Sequence, residues 1–287
     1  MQKPPLVLEA HAKHAQAVHF TRDGKHLVTC GQDAAVRVWS VPGFRAEREL
    51  LGHTKSVNAL AFTADESRLL TSSSDPAVKL WSFRDGKCLH TFEDQVHGAI
   101  GPDGAHVVTI SRSGELTLWD GDTGAKRRAL PALDKRHLAL AFSQNGLFLF
   151  VGGTGPIHRL SLPDGEVDGV HRGHQIAVAC LRASPNPAIL ASSGMDGTLR
   201  FWTVIGGDEV NQVALGATGA LQLAFAPDGR SIAVSVDHAV LLLSAPDGVL
   251  RERFDLPVKG VYGVAIAPDG RTLANAAADG RVRLFEL

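Results

Sequence analysis

Residues Gly173 to Trp202 read GHQIAVACLRASPNPAILASSGMDGTLRFW. Four side chains in this stretch, His174, Ser192, Asp196 and Trp202, can close one hydrogen-bond chain. An indole N–H only donates, a hydroxyl donates and accepts, and an imidazole can donate to a carboxylate. Trp202 can therefore give to Ser192, Ser192 can pair with His174, and His174 can give to Asp196. Such a network suits the space between strands, where low dielectric strengthens each bond and makes an unpaired member costly.

The same spacing recurs. His53, Thr71, Asp75 and Trp81 repeat the 22 residues from His to Asp and the 6 from Asp to Trp, with Gly52 before the histidine. His11, Thr29, Asp33 and Trp39 repeat them again, with Ala10 in the glycine's place. These residues resemble the WD40-repeat family, whose units carry Gly-His, then Ser or Thr, then Asp-Gly, then a terminal Trp. Aligning the remaining landmarks puts Trp119, Ser161, Leu243 and Phe285 at the Trp place, so successive steps are 42, 38, 42, 41, 41 and 42 residues. That is the length of a four-stranded propeller blade, about 40–45 residues.

The expected fold is all-β: a seven-bladed β-propeller of four-stranded antiparallel blades filling residues 1–287 as one unit. Intact blades are placed at 11–39, 53–81 and 174–202, and degenerate ones at about 91–119, 133–161, 216–243 and 257–285. The last unit stops at a third strand, Arg281 to Leu287, while Pro5 to Ala10 resembles an outer strand. Residues 5–10 are therefore expected to complete the seventh blade and close the fold, which removes open edges. Asp-Gly pairs such as Asp23-Gly24 and Asp103-Gly104 punctuate the chain and suit turns between antiparallel strands. Leu147 to Val151 and Val240 to Leu243 read as strands covered on both faces. Ala46 to Leu50, Lys126 to Arg128 and Arg251 to Arg253 read as outer strands guarded by charge. The third unit keeps Thr109 and Trp119 but has Ser113 at the Asp place and no histidine, so no tetrad is expected there.

Composition narrows the function. A net charge of −1 offers no electrostatic footprint for nucleic acid or an anionic membrane. No apolar run reaches the 18 residues of a membrane span, and no signal-peptide pattern opens the chain. Cys30, Cys88 and Cys180 are far apart and read as buried thiols, which points to a cytoplasmic protein. His11-x-x-His14 and His171-x-x-His174 have metal-like spacing, but no carboxylate or cysteine completes either set, so neither metal nor cofactor is expected. The His–Ser–Asp groupings superficially match a hydrolase triad. A nucleophile needs access to substrate and oxyanion donors, however, and a hydroxyl held by a buried indole has neither.

The resemblance implies a non-catalytic scaffold that binds a peptide or protein loop on the top face, around the channel. A monomer or a subunit of a larger complex is expected. The residues assigned to that face are His14, Gln16, Asn58, Asp94, Arg112, Arg136, Leu138, Met195, Leu221, Val236 and Tyr262. Ala177, Ala179, Met195, Leu221, Val236 and Tyr262 form an expected apolar sector, with Met195 and Tyr262 as anchors and Arg112 and Arg136 as polar neighbours. Apolar anchors beside polar groups are the anatomy of a binding surface. Two other classes are a propeller hydrolase with metal at the channel and a structural subunit that uses its rim. Converging carboxylates would mark the hydrolase, and this set offers only Asp94 and Asn58.

Overall fold

A computed structural model describes residues 3–131, 133, 137–216 and 222–287, with the side chains of 137 and 138 outside the description. All regular elements among them are strands, arranged as seven four-stranded antiparallel sheets. The first sheet is Ala15–Phe20, His26–Gly31, Val36–Ser40 and Ala46–Leu50. The second is Val57–Phe62, Arg68–Ser73, Ala77–Ser82 and Cys88–Glu93. The third and fourth run from Gln95–Ile100 to Lys126–Ala129 and from His137–Phe142 to Val167–His171. The fifth runs from Val178–Ala183 to Glu209–Ala214, and the sixth from Leu223–Phe225 to Leu250–Asp255.

The seventh sheet takes three strands from the end of the chain and one from its beginning. Leu6–Glu9 pairs with Arg281–Glu286 in the register Leu6 to Leu284, Val7 to Arg283, Leu8 to Val282 and Glu9 to Arg281. Glu9 accepts from Arg281 Nε at 2.8 Å, and the His11 amide donates to the Gly280 carbonyl at 2.9 Å. Gly280 permits this approach. Its φ is +78°, and a Cβ there would lie 2.2 Å from the His11 carbonyl oxygen and 2.4 Å from that of Lys13. Any side chain at this position would push the N-terminal segment off the sheet.

The chain resolves into two compact units. One holds Met1–Leu60, Ser73–Asp75 and Gln222–Leu287; the other holds Ala61–Ser72 and Pro76–Leu221. In the first unit Val18, Leu27, Trp39, Ala274, Val282 and Leu284 share one core cluster, and Phe254 packs on Phe285 at 5.0 Å and 50°. In the second, Phe92 packs on Trp119 at the same 5.0 Å and 50°. Each pair sets an outer-strand Phe against the aromatic ring of the next sheet. Such tilted contacts add to the burial of the rings themselves.

Strand burial follows the sequence pattern with two corrections. Phe148–Gly153 is buried after its first residue, but Leu147 lies outside the strand and is 54% exposed. Its place in a turn, rather than in the ladder, accounts for that. Lys126–Ala129 is exposed along its whole length, as a charged outer strand should be. Cys30 and Cys180 are buried, whereas Cys88 is exposed, because it opens the outer strand Cys88–Glu93.

Candidate partner-binding surface and the polar networks beneath it

In the fifth sheet the hydrogen-bond chain is complete. Trp202 Nε1 donates to Ser192 Oγ at 2.8 Å, His174 Nε2 lies 2.7 Å from the same hydroxyl, and His174 Nδ1 lies 3.0 Å from Asp196 Oδ2. Asp196 also accepts from the Gln175 amide at 2.9 Å and the Thr198 hydroxyl at 2.7 Å. The first sheet has the same arrangement. Trp39 Nε1 donates to Thr29 at 3.0 Å, His11 Nε2 lies 2.9 Å from Thr29, and His11 Nδ1 lies 2.8 Å from Asp33. In the second sheet His53 Nδ1 lies 3.0 Å from Asp75, and Trp81 Nε1 donates to Thr71 at 2.9 Å.

The third sheet has no tetrad, as its missing His and Asp imply, but it closes a shorter chain. Trp119 donates to Thr109 at 2.7 Å, and the Thr109 hydroxyl donates to Gln95 Oε1 at 2.7 Å. An amide oxygen here accepts where an imidazole nitrogen accepts elsewhere. Gln95 reaches this place because only Asp94, at φ +60°, separates the strands Cys88–Glu93 and Gln95–Ile100. Gln95→Ala is expected to cost about 1 kcal/mol by stranding the Thr109 hydroxyl proton, read as a fall in the urea midpoint.

A second recurrent group was not part of the sequence reading. A basic residue stands four after the Asp place and two before the Trp place at Arg37, Lys79, Arg159, Arg200 and Arg283. Arg37 Nη1 donates to Asp33 at 2.7 Å and to the Ala10 carbonyl at 3.0 Å. Arg159 is 7% exposed, pairs with Asp168 at 2.7 Å and donates to the carbonyls of Val204, at 2.7 Å, and Ile205. Arg200 pairs with Glu209, and Arg283 with Asp279. A guanidinium carries five donors in a planar fork, so it can serve a carboxylate and loop carbonyls at once.

These networks set a pH dependence. Burial pushes His11 and His174 below the ordinary imidazole range, even though each bonds an aspartate. Burial raises Asp196, but the Gln175 N–H, the Thr198 hydroxyl and His174 outweigh it and hold the carboxyl at about 2. Asp33 is likewise held at about 2, with Arg37 and His11 outweighing burial. Each group binds fewer protons folded than unfolded, so stability falls as pH falls. The histidine contribution is lost first, below the unfolded value of 6.5, and the aspartate contribution between 3.8 and about 2. The urea midpoint is therefore expected to drop between pH 7 and pH 5, and His174→Gln to flatten that drop.

Above the networks, the first strands share a local irregularity. Pairing with the second strand shifts register between Ala15 and Ala17, Gln95 and His97, His137 and Ala139, Val178 and Cys180, and Val261 and Gly263. The residues skipped are Gln16, Val96, Leu138, Ala179 and Tyr262. A bulge leaves one residue out of the ladder and re-aims its side chain, and bulges concentrate beside functional sites. Gln16, Ala179 and Tyr262 belong to the expected face, as does Leu138, whose side chain lies outside the described residues.

In the first unit Tyr262 stacks on His14 at 5.5 Å and 25°, and both are half-buried. Asn58 is exposed, with its Nδ2 donating to Ser74 Oγ at 2.9 Å and its Oδ1 accepting from Ser56 at 2.7 Å. In the second unit Asp94 and Arg112 are exposed, Met195 is 38% exposed and Ile176 53%. The Met195 amide donates to the Ala177 carbonyl at 2.8 Å. The apolar sector needs correction. Val236 and Ala177 are each only 5% exposed, Val236 because it ends the fully buried strand Ser231–Val236. Arg136 and Leu221 lie outside the described residues. Met195 and Tyr262, the expected anchor pair, belong to different units.

The family model described as "WD domain, G-beta repeat" matches residues 2–40, 45–82, 165–203 and 253–286. The chain is 30% identical over 112 residues to "Meiotic recombination protein rec14" of Schizosaccharomyces pombe, covering 39% of this chain and 37% of that protein. It is 29% identical over 182 residues to "Periodic tryptophan protein 2" of Saccharomyces cerevisiae, covering 48% of this chain and 20% of that protein. The matched stretch thus spans well under half the length of either relative. Among solved structures, the β-propeller domain of Cps50 (Swd1) from Myceliophteria thermophila superposes with a TM-score of 0.88 at 17% identity, over 100% of both chains. That likeness shows the fold, a seven-bladed β-propeller. With four repeats matched and the tetrad geometry in place, the chain belongs to the WD40-repeat family.

Proposed function

We propose that the protein is a non-catalytic scaffold that binds a peptide or loop of another protein through residues bulged from first strands of its first unit and the side chains near them in the repeat. The repeated register shift carries this reading, since it takes the same position out of the ladder in sheet after sheet. In the first unit the contact set is His14, Gln16, Asn58 and Tyr262, a stacked aromatic pair beside amide groups. Aromatic anchors with adaptable polar neighbours are what binding surfaces use. Burial argues against an enzyme built on the tetrads. Thr29, Thr71 and Ser192 are 0% exposed and each accepts an indole N–H, so no hydroxyl is open to a substrate. The names of the relatives denote no reaction either.

The test is affinity purification of the tagged full chain from its native source, with quantitative mass spectrometry. Gln16→Arg with Tyr262→Ala is expected to reduce at least one partner about tenfold, in line with the loss of more than 1 kcal/mol on truncating an interface anchor. Circular dichroism should stay unchanged. Retention of every partner at wild-type levels would reject this surface.

A further inference from the structure

A cleft of about 360 Å³ opens in the first unit, between residues 226–231 and 268–270. Its lining combines the apolar residues Leu242, Ile266 and Leu287 with Ser231 and Arg251. It shares no residue with the surface proposed above and does not depend on that reading.

Arg251 decides what the cleft can take. It stands at the same place in its outer strand as Arg127 in the third sheet, one residue after the partner of the Trp-place residue: Trp119 pairs with Lys126, and Leu243 with Leu250. Arg127 donates to His106 at 3.2 Å and, through Nε and Nη2, to Asp120 at 3.2 and 2.6 Å. Arg251 reproduces the first contact: its Nη1 donates at 2.8 Å to the hydroxyl of Ser231, which is the residue equivalent to His106. At the place of Asp120 the sixth sheet has Ser244, which accepts from the Val249 amide at 3.0 Å. Among the described residues no carboxylate lies within ion-pair distance of Arg251. A half-fixed guanidinium beside an apolar wall is thus left with its carboxylate-binding edge open, and that fork matches a carboxylate in geometry as well as charge.

Asp228 and Asp269 also line the cleft, and each uses Oδ1 on its own turn, at 2.9 Å from the Arg230 and Arg271 amides. Two carboxylates oppose a doubly charged phosphate but suit backbone N–H groups. Both signs fit a peptide with one acidic side chain. We propose that this cleft docks an extended segment of a partner protein, setting a bulky apolar side chain against Leu242 and Ile266 and an adjacent carboxylate on Arg251.

The test is an NMR titration of the full chain, following the methyls of Leu242 and Ile266 and the Arg251 Nε–H. The probes are N-acetyl-Leu-Glu-amide, N-acetyl-Leu-Gln-amide and sodium acetate. The acidic dipeptide is expected to give saturable shifts at millimolar concentration and to bind at least fivefold tighter than the amide. Arg251→Gln, an exposed position, should remove that preference with the fold unchanged by circular dichroism, while Arg127→Gln should keep it. No saturable shift, equal binding of the two dipeptides, or an unchanged preference in Arg251→Gln would overturn the proposal. Acetate alone saturating the same signals at the same concentration would do so too. A molecular mass that rises with concentration and is restored by Arg251→Gln would make the occupant a second copy and equally overturn it.

Discussion

Deletion of residues 1–10 lowers the thermal midpoint by roughly 6–12 °C. The deleted strand makes a four-residue antiparallel ladder with Arg281–Glu286, and Leu8 and Ala10 pack into the cluster that holds Trp39 and Leu284. Net backbone hydrogen bonds contribute roughly 1 kcal/mol each, so loss of the ladder with its buried groups costs roughly 3 kcal/mol. At this chain length each kcal/mol shifts Tm by roughly 2–4 °C. The deletion also leaves Val282 and Leu284, both now buried, on an unpaired edge, so the variant should aggregate on heating. Scanning calorimetry with light scattering reads both effects. An unchanged midpoint would mean that the strand contributes nothing to closure.

Asp196→Ala is expected to cost roughly 3 kcal/mol, at the upper end for a group whose removal leaves buried donors unmet. Its carboxylate serves His174 Nδ1, the Gln175 amide, and both the amide and hydroxyl of Thr198. His174, with a side chain 2% exposed, cannot turn to water for a substitute. Asp75→Ala removes the acceptor of His53 and the Thr54 amide and should cost roughly 1–3 kcal/mol. Asp237→Ala is the contrast. Asp237 is exposed in a sheet with Leu243 at the Trp place, so its loss should stay within roughly 0.5 kcal/mol. Urea midpoints of the three variants give the ranking, and equal values would contradict it.

What could be read from the residues follows from how restrictive their chemistry is. A buried indole needs an acceptor and a buried imidazole needs a donor and an acceptor, so Trp, Ser or Thr, His and Asp at fixed spacing leave little choice of arrangement. The Asp-Gly turns and the unfinished last unit fixed the number of sheets and their closure in the same way. Gln95 is not legible from the repeat because the place it fills is held by histidine in the first and fifth sheets. Its amide oxygen does the same accepting from a position that the shortened connection at Asp94 supplies. The buried basic residues escaped because charge on a strand reads as exposure, yet Arg283 is 3% exposed and answered by Asp279. Val236 was misplaced for the opposite reason. Its repeat position is exposed in several other sheets, but at the end of the fully buried strand Ser231–Val236 it turns into the core. The bulges were invisible as such, because a skipped residue leaves no mark on composition; only the repeat register pointed to Gln16 and Tyr262.

Hydrogen exchange at residues 6–9 tests the central claim most directly. In an outer strand held on one side, alternate amides are bonded, so a peptide spanning these residues should keep about half its amides protected, to the same denaturant concentration as Arg281–Glu286. Exchange of all four at unstructured rates, with Arg281–Glu286 still protected, would show that the first strand does not complete the seventh sheet.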